Sequence, residues 1–186
     1  LGMNNAYGLR YFCGDRDPYT DRNFDSIEQY RRISERDREN LSGKMLGRAV
    51  VEKLLERTGF IDFRTFSVMP SLECPQLIYR QDCLPNENLA ERYFPMYGHP
   101  DTVFLEEEYL YGNLAENGLF HSLANSFLFE CSLDKAYDAT MHATISLNRD
   151  KDKALATIIK ENDVVEKIAI FEDGKQTLQR LKINMA

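Results

Sequence analysis

Proline stands at positions 70, 75, 85 and 95, and that spacing leaves no room for a long helix or an uninterrupted strand between Met69 and Met96. Each ring fixes φ and removes a backbone donor, so the segment is limited to short strands and turns. Leu77-Ile78-Tyr79 is the best candidate strand within it. The prolines therefore divide the chain into a helix-patterned first part and a strand-rich second part.

The opening residues through Asn23 are rich in Asp, Gly, Asn and Tyr without a sustained period, and read as an irregular arm over 1–23. Ser26-Ile27-Glu28-Gln29 has capping-box spacing, which predicts a solvated helix running to Asn40. Arg31, Arg32, Arg36 and Arg38 alternate with Glu35, Asp37 and Glu39, the pattern of an ion-paired face rather than a nucleic-acid patch. Leu46, Val50 and Leu54 then recur at four-residue steps, broadened by Ala49 and Leu55, and Gly59 supplies a stop. Gly47 lies inside this pattern at a cost of about 1 kcal/mol relative to Ala, which implies a close backbone approach by another element. Helices are thus expected over 26–59.

Residues 60 to 69 alternate aromatic and β-branched with polar side chains, as a strand with one packed face does. Asp101 to Tyr111 reads as a further strand, with Glu106-Glu107-Glu108 as its exposed, pairing-resistant edge. Ser126 to Leu133 is nearly continuous in apolar residues, and Phe127-Leu128-Phe129 reads as a central strand covered on both sides. Lys151 to Asn162 places Ala154, Leu155, Ile158 and Ile159 on one helical face, and Val164 to Phe171 reads as a strand ending at Asp173-Gly174. Tyr93, Phe94, Tyr97, Tyr109 and Tyr111 read as core residues, with base stacking as the alternative.

At 186 residues with 43% hydrophobic residues, the chain can bury a core of its own, and the length favours one domain over 1–186. The formal charge of −7 opposes long-range attraction to phosphate polymers, so a nucleic-acid-coating role is disfavoured, while a local metal-bridged contact with DNA or RNA is not. Cys13, Cys74, Cys83 and Cys131 show no zinc-ribbon or disulfide-framework spacing, and a zinc set of Cys74, Cys83, His99 and His121 has irregular gaps. A reducing, cytoplasmic setting is expected, with no signal peptide and no membrane span.

Two carboxylates stand out. Asp101 begins one expected strand and Glu130 lies in the next, where neighbouring strands would bring them together. Paired carboxylates repel unless protonated or bridged by a cation, and Mg²⁺ or Mn²⁺ prefers such hard oxygen ligands. Strand periodicity puts Glu130 and Ser132 on one face and the Cys131 thiol on the other, leaving the Cys131 backbone carbonyl as a further ligand. His99 shares the strand face of Asp101, where it serves either as a turn residue or as a contact to metal or phosphate.

A helix ending in Gly, a Pro100-Asp101 strand, a hydrophobic strand bearing Glu130, then helix and strand resembles the PD-(D/E)xK nuclease superfamily over residues 42 to 171. The resemblance implies an α/β fold with a restriction-endonuclease-like core, a central mixed sheet flanked by helices. It also implies metal-assisted hydrolysis of nucleic-acid phosphodiesters, with Asp101 and Glu130 holding the cation. Two positions depart from the motif. Ser132 occupies the place of the motif lysine, with Lys135 three residues on able to reach back, and Arg48 stands where members place a helical Glu, with Glu52 one turn later. The alternative is a nuclease-like domain without turnover, acting as a binding or inhibitory module for protein or nucleic acid. A third reading is a recognition module that uses the charged helix and the arm to dock a protein partner or form a homodimer.

Overall fold

The computed structural model describes residues 1–60, 62–133 and 137–184. Seven strands form one sheet: β1 (Gly2–Asn4), β2 (Phe63–Met69), β3 (Leu77–Arg80), β4 (Ser126–Cys131), β5 (Thr140–Ile145), β6 (Leu155–Lys160) and β7 (Val165–Ala169). Their order is β1-β4-β2-β3-β5-β6-β7, and each neighbouring pair is antiparallel. The class is mixed α and β as expected, whereas the expected mixed sheet is corrected to an antiparallel one. The helices are α1 (Leu9–Phe12), α2 (Glu35–Glu39), α3 (Arg48–Arg57), α4 (Leu89–Arg92), α5 (Tyr111–Glu116) and α6 (Lys175–Asn184).

Alternation along the strands decides which face is covered. Phe127 and Phe129 of β4 lie opposite Ser67 and Thr65 of β2, and pack under Val51 of α3. Further along the same face, Met69, Leu77 and Tyr79 bury against Leu9 of α1, Leu89 of α4 and Tyr111 of α5. The intervening Leu128 points to the other face and stays 37% exposed, while Phe66, Val68 and Ser126 on that face are buried, so the second face of β4 is covered in part. The reading of a doubly covered strand is corrected at Leu128.

The helix expected before Gly59 is α3, but its buried face is shifted. Val51 is buried with Leu55 and Leu46 against it, while Val50 and Leu54 are 49% and 44% exposed. Gly47 is the N-cap residue rather than an interior one, with extended backbone. A Cβ there would stand 2.8 Å from Tyr7 Cε2, so the close neighbour is a side-chain ring rather than the expected backbone. Gly59 follows the helix at φ +97, a left-handed stop that glycine adopts without strain.

Four other expectations are corrected. The arm supplies an edge strand, β1, and a helix, α1, with Leu9, Tyr11 and Cys13 buried. The charged helix over 26–40 shrinks to α2, capped by Ser34, because Gln29 and Tyr30 take positive φ and break any earlier helix. Residues 101–111 form two short 3-10 turns, Pro100–Thr102 and Glu107–Tyr109, not a strand. Within 151–162, Leu155–Lys160 form β6, not a helix: the Thr157-Ile158-Ile159 run is β-branched, and the i, i+4 spacing fits either element. The strands expected at 60–69, 77–79, 126–133 and 164–171 are present as β2, β3, β4 and β7.

Candidate functional site

The residues expected to share a metal are distributed over separate networks. Asp101 lies exposed in the turn Pro100–Thr102, which is docked on the segment after α1. Thr102 Oγ1 donates to Gly14 O at 2.7 Å, Phe104 N to Cys13 O at 2.9 Å, and His99 N to Asp15 Oδ1 at 2.9 Å. His99 Nε2 stands 3.0 Å from Asp21 Oδ1, so this histidine serves the docking of its own loop.

Glu130 belongs to β4 and faces Arg64 of β2 directly across the ladder. Its Oε1 accepts from Asp138 N at 3.3 Å. Arg64 donates to Asp138 O and lies 4.9 Å from the Tyr137 ring centroid, so Glu130 and Arg64 together pin the chain entering β5. Cys131 turns its side chain into the Val51–Phe127 cluster, as its strand parity required. Ser132 follows β4 directly, and Lys135 lies outside the described residues. On α3, Arg48 and Glu52 form an i,i+4 pair at 3.3 Å with each other. Among the described residues, no group of three or more His, Cys, Asp or Glu side chains is arranged to hold a metal ion.

The polar centre that the fold does build was not anticipated. Glu107, expected on an exposed edge, is 0% exposed. Its Oε1 accepts from Tyr93 OH at 2.7 Å and its Oε2 from Asn125 Nδ2 at 2.9 Å. Asn125 Oδ1 accepts in turn from Arg10 N at 3.0 Å, and Arg10 Nε donates to Asp15 Oδ2 at 2.8 Å. Burial raises the Glu107 pKa, while the Asn125 and Tyr93 donors and the Arg10 charge act against that shift. Burial opposes the Arg10 charge, but Asp15, Tyr11 and Glu107 outweigh it and its pKa is raised. This chain of contacts clamps α1, α4, the 107–109 turn and the start of β4 together. Both Glu107 oxygens are engaged and the carboxylate is sealed from solvent, which suits a fastener and not a site open to substrate. No short-range period links Arg10, Tyr93, Glu107 and Asn125, so the network was invisible to pattern reading.

An open site lies along the outer edge of β1, which the parallel Asn5–Leu46 bridge closes at one end. A groove of about 550 Å³ runs there, within the size range of ligand pockets. β1 forms one side; Val51, Leu54 and Leu55 of α3, Leu72, and the Lys44–Leu46 segment complete it. The local sequence explains its shape. Leu1 N and O both bond Phe129, and Asn5 N bonds Asn125 O, so odd positions turn toward β4. Gly2 and Asn4 therefore turn their N–H groups away from it, toward the groove. At the far end, Ala6 N donates to Leu46 O and closes the edge. Lys44 is the charged residue among the described lining, and no carboxylate pairs with it among the described residues.

No known protein family, curated protein or solved structure matches the chain. Among the described residues, no helix is long and apolar enough to cross a membrane.

Proposed function

We propose that the chain is a non-catalytic protein-binding module whose docking face is the groove between β1 and α3. One observation carries this reading: an apolar concavity lies beside the outer edge of β1, open at Gly2, with Leu1 and Leu54 left 64% and 44% exposed at its rim. Exposed strand edges and contiguous apolar surface both favour association, and most chains cover or charge them. The separation of Asp101 from the Glu130–Arg64–Asp138 network supports binding over turnover, because shared ligation of one cation needs convergent oxygens.

Panning a displayed random-peptide library on the full chain tests the proposal. Enriched clones should lose at least about tenfold in affinity on Leu54→Glu, which puts a charge in the groove at an exposed position. Clones indifferent to Leu54→Glu, or no enrichment at all, would refute it.

A further inference from the structure

We infer that the cavity between the end of α4 and the β5–β6 connection binds a small aromatic oxyanion, its charged oxygens held by Arg92 and Arg149 and its ring laid on Phe94. This site is separate from the groove beside β1, and either can fail without the other.

The cavity measures about 310 Å³, at the lower end of the range for ligand pockets, so it suits a small molecule and not a peptide. Local bonding brings its distant parts together. Pro95 holds the residue before it extended, so α4 stops at Arg92 and the peptide groups of Phe94 are left outside any helix. Gln76, just before β3, takes both of them: its side-chain amide donates to Phe94 O at 3.0 Å and accepts from Phe94 N at 3.1 Å. The Gln76 carbonyl accepts from Ile145 N at 2.7 Å, which anchors the arrangement to the end of β5. Phe94 is therefore fixed through its backbone while the side chain stays 54% exposed. An aromatic ring fixed in place at the wall of a cavity is a stacking surface whose ordering has already been met in folding.

The charged groups are placed as deliberately. Arg92 Nε stands 3.3 Å from Glu87 Oε2, and Glu87 Oε1 accepts from the OH of buried Tyr79 at 2.7 Å. Glu87 thus orients the guanidinium through one nitrogen, and no hydrogen bond occupies the two Nη atoms among the described residues. Arg149 enters from the β5–β6 connection with no ion pair or hydrogen bond from its side chain among the described residues. Glu91, the carboxylate of the described lining, is engaged by Asn88 Nδ2 at 2.8 Å. Two guanidiniums from separate elements, with the hydroxyl of Ser146 and the amide of Asn148 beside them, match the planar or forked oxygens of a carboxylate or phosphate. An uncharged ring would leave these groups unmet, and a bare anion would leave Phe94 unused.

Calorimetric titration of the full chain with phenyl phosphate, benzoate, inorganic phosphate and benzyl alcohol tests the site. Phenyl phosphate or benzoate should bind at least about tenfold more tightly than inorganic phosphate, and the stronger of the two names the oxyanion. Benzyl alcohol, a ring without charge, should give no heat. Arg149→Glu should weaken the ring anion at least about tenfold while keeping the wild-type thermal midpoint, since Arg149 has no bonded partner to lose. Phe94→Ala should bring the ring anion down to the level of inorganic phosphate. No heat with either ring anion, equal binding of phenyl phosphate and inorganic phosphate, or affinities unmoved by Arg149→Glu would overturn the site. Leu54→Glu should leave every titration unchanged; a loss there would move the anion to the groove beside β1 and overturn the assignment.

Discussion

Glu107 and Asn125 meet in the interior at 2.9 Å, the Asn125 amide donating to a carboxylate whose other oxygen is held by Tyr93. The pair joins the 107–109 turn to the residue that leads into β4, two parts of the chain with no sheet hydrogen bond between them.

Removing either partner leaves the other buried without its mate. Glu107→Ala is expected to cost about 2–4 kcal/mol in urea unfolding, and Asn125→Ala a similar amount. The double variant should lose about 1 kcal/mol less than the sum, because both changes break the same bond. Strict additivity would show that the two side chains do not act as a unit.

The raised Glu107 pKa makes a signed prediction. A carboxyl that holds its proton more tightly when folded contributes stability below its ordinary value of 4.5, and that contribution is lost as pH rises through the folded value. Wild type should therefore lose ground against Glu107→Gln as pH increases from about 4 to about 8. The opposite slope would mean that the Tyr93 and Asn125 donors overcome burial.

His121 predicts the reverse trend at lower acidity. Burial holds its pKa below the ordinary 6.5, and its Nδ1 lies 2.8 Å from the hydroxyl of buried Ser67. Its folded form resists protonation, so stability falls as pH drops through about 6.5 toward the folded value. His121→Phe should flatten that part of the profile, measured as thermal midpoint against pH.

Much of the sheet is legible because β2, β3 and β7 are rich in β-branched and aromatic residues and β4 is a nearly continuous apolar run. The failures have physical causes. In β6, Ala154, Leu155, Ile158 and Ile159 satisfy a helical period as well as a strand, and pairing on both sides by β5 and β7 settles the matter. The Pro100-Asp101 dipeptide followed by apolar residues reads as the start of a strand, yet Thr102 and Phe104 bond the segment after α1 and hold a turn. Glu107 sits within three consecutive glutamates, a pattern that ordinarily signals solvent, and only distant Tyr93 and Asn125 make its burial tolerable. The groove depends on Leu1 through Asn4 meeting α3 and Leu72, contacts between segments far apart in sequence.

Asp101 lies in an exposed turn, so Mn²⁺ titrated into wild type and Asp101→Ala should give the same heats, with stabilities equal within about 0.5 kcal/mol. A heat of binding present in wild type and lost in the variant would restore Asp101 as a metal ligand.

Docking in the groove between β1 and α3 is read directly by amide hydrogen exchange. On saturation with a peptide selected on the full chain, the outward-facing Gly2 amide should slow by at least about tenfold, while those of Asp101 and Glu130 keep their rates. Unchanged exchange at Gly2, with protection instead around Asp101 or Glu130, would contradict docking there.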